Sequence, residues 1–232
     1  MRWIIRSVVA LVLLVVVALV AVCFIPAEKI AGLAVGNFET LTGRDLVIEG
    51  AVHPSFWPAL GVKTGPIRIS NAEWSQEGPM MQAEGLAIAL DMAALLSGEI
   101  RITGITAENP RIVLERRADG QENWVFGGAS GGSVSSDTPG VGRAYTLDRG
   151  VISGGSLLFL DHASGERIEL TGIDATVSIP DYTGEARLDM AAVMNGQAFK
   201  TGLTLGAYQG FLDGKVVPVD LTLTAGDADV RF

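Results

Sequence analysis

The chain opens on a stretch with no polar alternation at all. From Ser7 to Ile25 the sequence SVVALVLLVVVALVAVCFI carries no charge. At about 1.5 Å per residue, a helix of that length spans roughly 28 Å, close to a bilayer core of about 30 Å. Val is a mediocre helix former in water, but in lipid the backbone has to pair within its own segment. Residues Ile4 to Ile25 therefore read as one transmembrane helix. Arg2 and Arg6 precede it and Trp3 stands at an interfacial position, so the positive flank is N-terminal. That asymmetry predicts residues 1–26 as a cytoplasmic N-terminus and anchor, with the rest of the chain exported. The competing reading is a cleaved signal peptide. The apolar run exceeds an h-region of about 7–15 residues, and only a weak Ala21/Cys23 cleavage pattern lies within it.

After the anchor the period becomes helical, then changes to two. Within residues 27–43, Ile30, Leu33, Ala34, Phe38 and Leu41 fall at spacings of three and four, one face of a short amphipathic helix closed by Gly43. From Arg44 apolar and polar residues alternate: around Leu46, Ile67, Leu86, Ile100 and Ile112, then at 156–161, 167–179, 186–190, 202–205 and 216–224. Turn signals separate them, at Asn109-Pro110, Asp119-Gly120, Ser164-Gly165, Thr183-Gly184, Asn195-Gly196 and Asp213-Gly214. Asn195-Gly196 and Asp213-Gly214 suit type I′ hairpins. The pattern predicts ten or eleven strands in an antiparallel meander. Asp91–Gly98 breaks it with one expected helical turn. Residues 127–142, GGASGGSVSSDTPGVG, have linker composition and divide a first β-segment (44–126) from a second (143–232).

Composition narrows the function. Nearly half the residues are hydrophobic (48%), so the chain is not mainly disordered. A formal charge of −9 without Lys/Arg runs argues against nucleic acid as a partner. One cysteine excludes a disulfide framework or a Cys-based zinc site within one chain, and two histidines leave little for acid–base chemistry. Aromatics are scarce at 6%, and no long amphipathic helix follows residue 43 to cover the apolar strand faces. The pattern leaves two arrangements open: a closed sandwich or barrel that buries itself, the commoner solution, or a curled sheet with an apolar groove.

Two long segments, LTGRDLVIEGAVHPSFWPALGVKTGPIRISNAEW (41–74) and LLSGEIRITGITAENPRIVLERRADGQENWVF (95–126), resemble the N-terminal signature of the AsmA family of bacterial envelope proteins. ISGGSLLFLDHASGERIELTGIDATVSI, in the second half, is similar to that family's repeat unit. The resemblance implies a single-pass inner-membrane protein projecting into the periplasm, with a chorein-like start and a curled antiparallel β-groove. It implies lipid transfer for outer-membrane biogenesis, phospholipid acyl chains as ligand, and outer-membrane or envelope proteins as possible partners. The chain is short for the family, which reads as a truncated or unusually short member. On this reading no residue is catalytic and no cofactor or metal is expected. The lipid-facing candidates are Leu46, Ile48, Ile67, Ile69, Leu86, Ile88, Leu90, Ile100, Ile102, Ile112, Leu114, Leu157, Phe159, Ile168 and Leu170. A slip of one residue in register would turn any of these to the opposite face.

Other candidate chemistry reads as structural. Asp161, His162, Ser164 and Glu166 crowd one turn, but residues two apart on a tight turn rarely meet as nucleophile and base, and no G-x-S-x-G elbow is present. His53 beside Pro54 reads as a strand end. The Gly-rich 127–142 lacks the Lys-Ser/Thr of a phosphate loop. Arg116-Arg117 reads as an exposed strand end rather than a lipid-phosphate contact, and Phe56-Trp57 as either a membrane-interface contact or a local plug. The main rival function is a closed, non-enzymatic scaffold or assembly factor for envelope proteins.

Overall fold

A computed structural model of the chain describes residues 42–55, 59–97, 101–126, 146–226 and 228–231, together with 32, 35, 36 and 38–40. The expected membrane helix, Phe56-Trp57, Ile100 and the Gly/Ser-rich 127–142 lie outside the described residues. No helix among the described residues is long and apolar enough to cross a membrane. The described positions from 32 to 42 are helical, and the N–H of Gly43, at φ +65°, donates to the carbonyl of Glu39 (2.8 Å), ending the helix as its glycine predicts.

The strands in chain order are β1 (Leu46–Ile48), β2 (His53–Ser55), β3 (Gly61–Thr64), β4 (Ile67–Ile69), β5 (Met81–Ala83), β6 (Gly85–Leu90), β7 (Ile102–Glu108) and β8 (Arg111–Arg116). After the linker come β9 (Leu147–Asp161), β10 (Glu166–Ile179), β11 (Ala186–Met194), β12 (Gln197–Leu205), β13 (Val219–Ala225) and β14 (Ala228–Arg231). A short helix α1 (Met92–Leu96) joins β6 to β7, started by the Asp91 carboxylate accepting the N–H of Ala94 (3.0 Å); α2 (Tyr208–Leu212) joins β12 to β13. All fourteen strands form one sheet, which curls into an open half-barrel. Among the described residues the sheet ends at β1/β2 on one side and at β14 on the other, an open arrangement in place of the closed sandwich or barrel.

The strand count exceeds the expected ten or eleven because four strands are broken in two. β1/β2, β4/β3, β5/β6 and β8/β7 each run as one line across the sheet with a kink between halves. The path from β1 to β14 is still ten strands wide. The kinks align. Glu49 N–H donates to Pro66 O (2.7 Å), Glu84 N–H to Glu108 O (3.0 Å), Asn109 N–H to Ser153 O (2.8 Å) and Ser156 N–H to Pro110 O (2.7 Å). Gly50, Asn109, Gly154 and Gly172 all take positive φ along this line. Together these form one crease perpendicular to the strands.

Three expectations need correction. The sheet is not wholly antiparallel: β7 and β8 both pair with β9 in parallel, through Gly104↔Arg149 to Glu108↔Ser153 and Arg111↔Ser156 to Arg116↔Asp161. Parallel neighbours need a crossover, and the chain between Phe126 and Thr146 supplies it. Asn109-Pro110 is therefore no hairpin turn; the chain continues past it in the same direction, kinked by a residue in the left-handed region and a proline without a donor. Asp213-Gly214 ends α2 instead of turning a hairpin. Gly214 at φ +70° donates to Phe211 O and Lys215 N–H to Gly210 O, the Schellman pattern. Asn195-Gly196, with φ of 53° and 79°, does join β11 to β12 as expected of a type I′ turn.

Candidate functional site

Paired residues in a sheet point to the same side, so the register assigns faces. Below the crease one face carries Leu46–Ile69–Met81–Ile112–Leu157–Leu170 and Leu114–Phe159–Ile168 in register. Above it one face carries Val62–Ile88–Ile105–Gly150–Val177–Leu188–Leu203–Leu221. Strand β11 runs unbroken past the crease and joins the two: Met194 pairs with Leu170 and Met190 with Ala175, two residues of the same parity. The halves are therefore one continuous face.

Simple alternation would not produce this. Ile67 and Val62, Ala83 and Leu86, Ile112 and Ala107, Leu157 and Ile152, and Leu170 and Ala175 each differ by an odd number of positions. Each of these strands carries one residue out of phase at the crease, as in a β-bulge, and so returns its apolar residues to the same side. Every described member of the expected lining set lies there: Leu46, Ile48, Ile67, Ile69, Leu86, Ile88, Leu90, Ile102, Ile112, Leu114, Leu157, Phe159, Ile168 and Leu170. Ile100 lies outside the described residues.

Among the described residues no second layer covers this face. Ile67 at the centre of its row is 5% exposed, but Ile102 (40%), Ile105 (36%), Met194 (42%), Val219 (51%), Leu223 (38%) and Val230 (41%) stand open on the same side. The opposite face is polar. Lys63, Thr106, Asp174, Thr176, Asp189, Lys200, Thr222 and Thr224 alternate with the apolar set, and a shallow cavity of about 440 Å³ there is lined largely by such residues. The lining extends into β11–β14, beyond the expected set. The alternation at 186–190, 202–205 and 216–224 carried that signal.

One end of the sheet, its base, is built differently. Val113 (1% exposed) and Leu158 (8%) lie on the polar side and are buried there with Ala72 and Met80. Glu115, 2% exposed, points the same way. Its Oε1 accepts hydrogen bonds from Asn71 Nδ2 (3.1 Å) and from the Ser75 hydroxyl, and its Oε2 lies 3.2 Å from His162 Nε2. Arg44, just past the N-terminal helix, donates to the carbonyls of Asn71 (2.9 Å) and Asn123 (3.2 Å). Trp74 carries the Arg117 guanidinium over its ring at 5.6 Å. Period-two reading placed Val113 and Glu115 on the solvent side; the cover comes from residues 71–80 and 117–124, which carry no periodic signal.

On the apolar side of the base, Trp124 packs against Phe159 (6.1 Å between ring centres), and the last row is charged. Arg116 Nη2 donates to Asp161 Oδ2 at 2.5 Å, with Asp161 only 4% exposed. The Arg116 hydrogen bond first, then the Ala163 N–H and the Ser164 hydroxyl, hold the Asp161 carboxyl well below the usual carboxylate range. The crowded 161–166 turn thus divides its groups: Asp161 faces Arg116, His162 faces Glu115, and Ser164 Oγ accepts the Glu166 N–H (3.3 Å). His53 is an exposed residue of β2. No group of three His, Cys, Asp or Glu side chains among the described residues is arranged to hold a metal.

An open apolar face on a polar-backed sheet can desolvate extended hydrocarbon. No curated protein matches the chain. The model of the AsmA family matches residues 3–144, well over half of the sequence and through the first β-segment, and the chain belongs to the AsmA family.

Proposed function

We propose that this chain is an inner-membrane-anchored, periplasmic lipid-binding protein that takes part in phospholipid transfer for outer-membrane biogenesis. The observation that carries the reading is the crease. Five strands each break their alternation at the same line, and the break keeps one apolar face continuous, with no second layer over it among the described residues. A sheet that only needed a core would turn that face against a second layer. Binding is passive: each CH₂ removed from water contributes about 0.8 kcal/mol, so two acyl chains bind without any single special contact. Headgroups stay at the wet rim.

Adjacent residues on opposite faces provide the test. A photo-crosslinking amino acid is placed at Ile105, on the apolar face, or at Thr106, on the polar face, in the full chain in living cells. Lipid adducts at Ile105 and none at Thr106 support the reading. Protein adducts at Ile105 without lipid would replace it with the envelope-scaffold reading.

A further inference from the structure

The charged row at the base runs across four neighbouring segments in register. Glu122 bridges to Arg116, Arg116 pairs with Asp161, and Asp161 pairs with Glu166. All four therefore project from the apolar face, one step beyond Leu114, Phe159 and Ile168. Every other strand-paired position on that face is uncharged. Arg116 is 43% exposed and spends Nη2 on Asp161; its remaining donors have no hydrogen-bond partner among the described residues. Glu122 is half-buried and Glu166 exposed. Asp161, buried and fixed by the Ala163 N–H (2.9 Å), positions the guanidinium rather than meeting solvent.

We propose that this row is a headgroup site that selects amine-bearing zwitterionic phospholipids, of the phosphatidylethanolamine class, over anionic ones. The proposal rests on the lipid-binding reading above and names the headgroup for the same groove. One cation among three carboxylates disfavours a headgroup that is only negative. A phosphoethanolamine group matches both signs: its phosphate takes the free side of the Arg116 fork, and its ammonium faces Glu122 or Glu166. The ammonium lies two carbons beyond the ester oxygen, a reach comparable with the spacing between neighbouring strands of about 4.8 Å. The acyl chains then run from Leu114 and Phe159 toward the crease. Arg44 ties the end of the N-terminal helix to this same base.

The test uses the full chain reconstituted in vesicles of equimolar phosphatidylethanolamine and phosphatidylglycerol, with a photo-crosslinking residue at Leu157 on the apolar face. Adduct masses give the headgroup directly. The expected result is a preference of about fivefold for the amine lipid, equivalent to about 1 kcal/mol. Combining Glu122→Gln with Glu166→Gln, both at accessible positions, should abolish or reverse it; Arg116→Lys, which keeps a partner for Asp161, should weaken it. Adducts in the 1:1 ratio of the vesicles, or an unchanged preference in the Glu122/Glu166 double variant, would overturn the headgroup site and leave lipid binding standing. Absence of any lipid adduct at Leu157 would overturn both.

Discussion

Asn123 stands in for a strand beside Glu115. Its Oδ1 accepts the Glu115 N–H (2.9 Å) and its Nδ2 donates to Val113 O (2.9 Å), so one side chain completes the edge of β8 where β5 has ended. Nδ2 also reaches Asn71 Oδ1 (2.9 Å), and Asn123 is wholly buried. Asn123→Ala leaves a buried N–H, a carbonyl and an amide acceptor short of partners, at about 1–3 kcal/mol for each unmet group. A loss of stability above about 3 kcal/mol is expected in denaturant unfolding followed by tryptophan fluorescence.

Gly61 tests the pairing of the first segment. A Cβ there would collide with the backbone carbonyl of Ile88 in the neighbouring strand, which cannot move without breaking the β3–β6 ladder. Gly61→Ala should destabilise by about 2 kcal/mol or more, and hydrogen exchange should show the loss first in residues 85–90.

Ile102 separates the open face from a packed core. It is 40% exposed, so Ile102→Asp should change the melting temperature by no more than a few degrees while reducing lipid adducts at Ile105. Unfolding of the domain by this change would mean that something covers the face.

Asp161 gives a pH signature. Its folded carboxyl titrates below the ordinary value, so its ionised form stabilises the fold above about pH 4, and that contribution is lost as pH falls toward the folded value. Asp91 and Asp181 are shifted in the same direction, Asp91 first by the Ala94 N–H and Asp181 by the Thr183 N–H. Melting curves of wild type and Asp161→Asn should lie well apart at pH 6 and converge below about pH 4. A gap that is constant across the range would rule out the ion pair as its source.

The crossover sets a minimum chain length. Trp124 holds the chain at the base beside Phe159, and β9 begins at Leu147, a strand length of roughly 40 Å away at about 3.3 Å per residue. Fully extended chain covers at most about 3.6 Å per residue, so roughly 12 residues are needed. Removing about four residues from 127–142 should leave the melting temperature unchanged, whereas removing about 12 should prevent β7 and β8 from pairing with β9.

Much of this architecture is legible in period and turn chemistry. The lining set falls on one face because Ile and Leu alternate with polar residues within each short strand, and Asn195-Gly196 fixes its hairpin locally. The crease is not legible as such. Asn109-Pro110 looks like a turn in one dimension; only pairing with neighbours on both sides shows that the chain continues straight through. The parallel junction at β9 is equally silent, because a strand's residues do not encode the direction of its partner. Glu115 reads as solvent-facing from its neighbours, yet Asn71, Ser75 and Asn123 arrive from distant segments to bury it.

The parallel junction also fixes an order of events during synthesis. β7 and β8 emerge before the linker and have no partner on their outer side until residues 147–161 follow. For that interval the nascent first segment exposes an unsatisfied backbone edge beside an apolar face, the combination that recruits other chains. The second segment has no such debt, since β9 to β14 pair each with the next along the chain. The late half can therefore fold on arrival and serve as the template on which the early half is completed, which makes β9 the strand whose delay would be felt as aggregation rather than as lost binding.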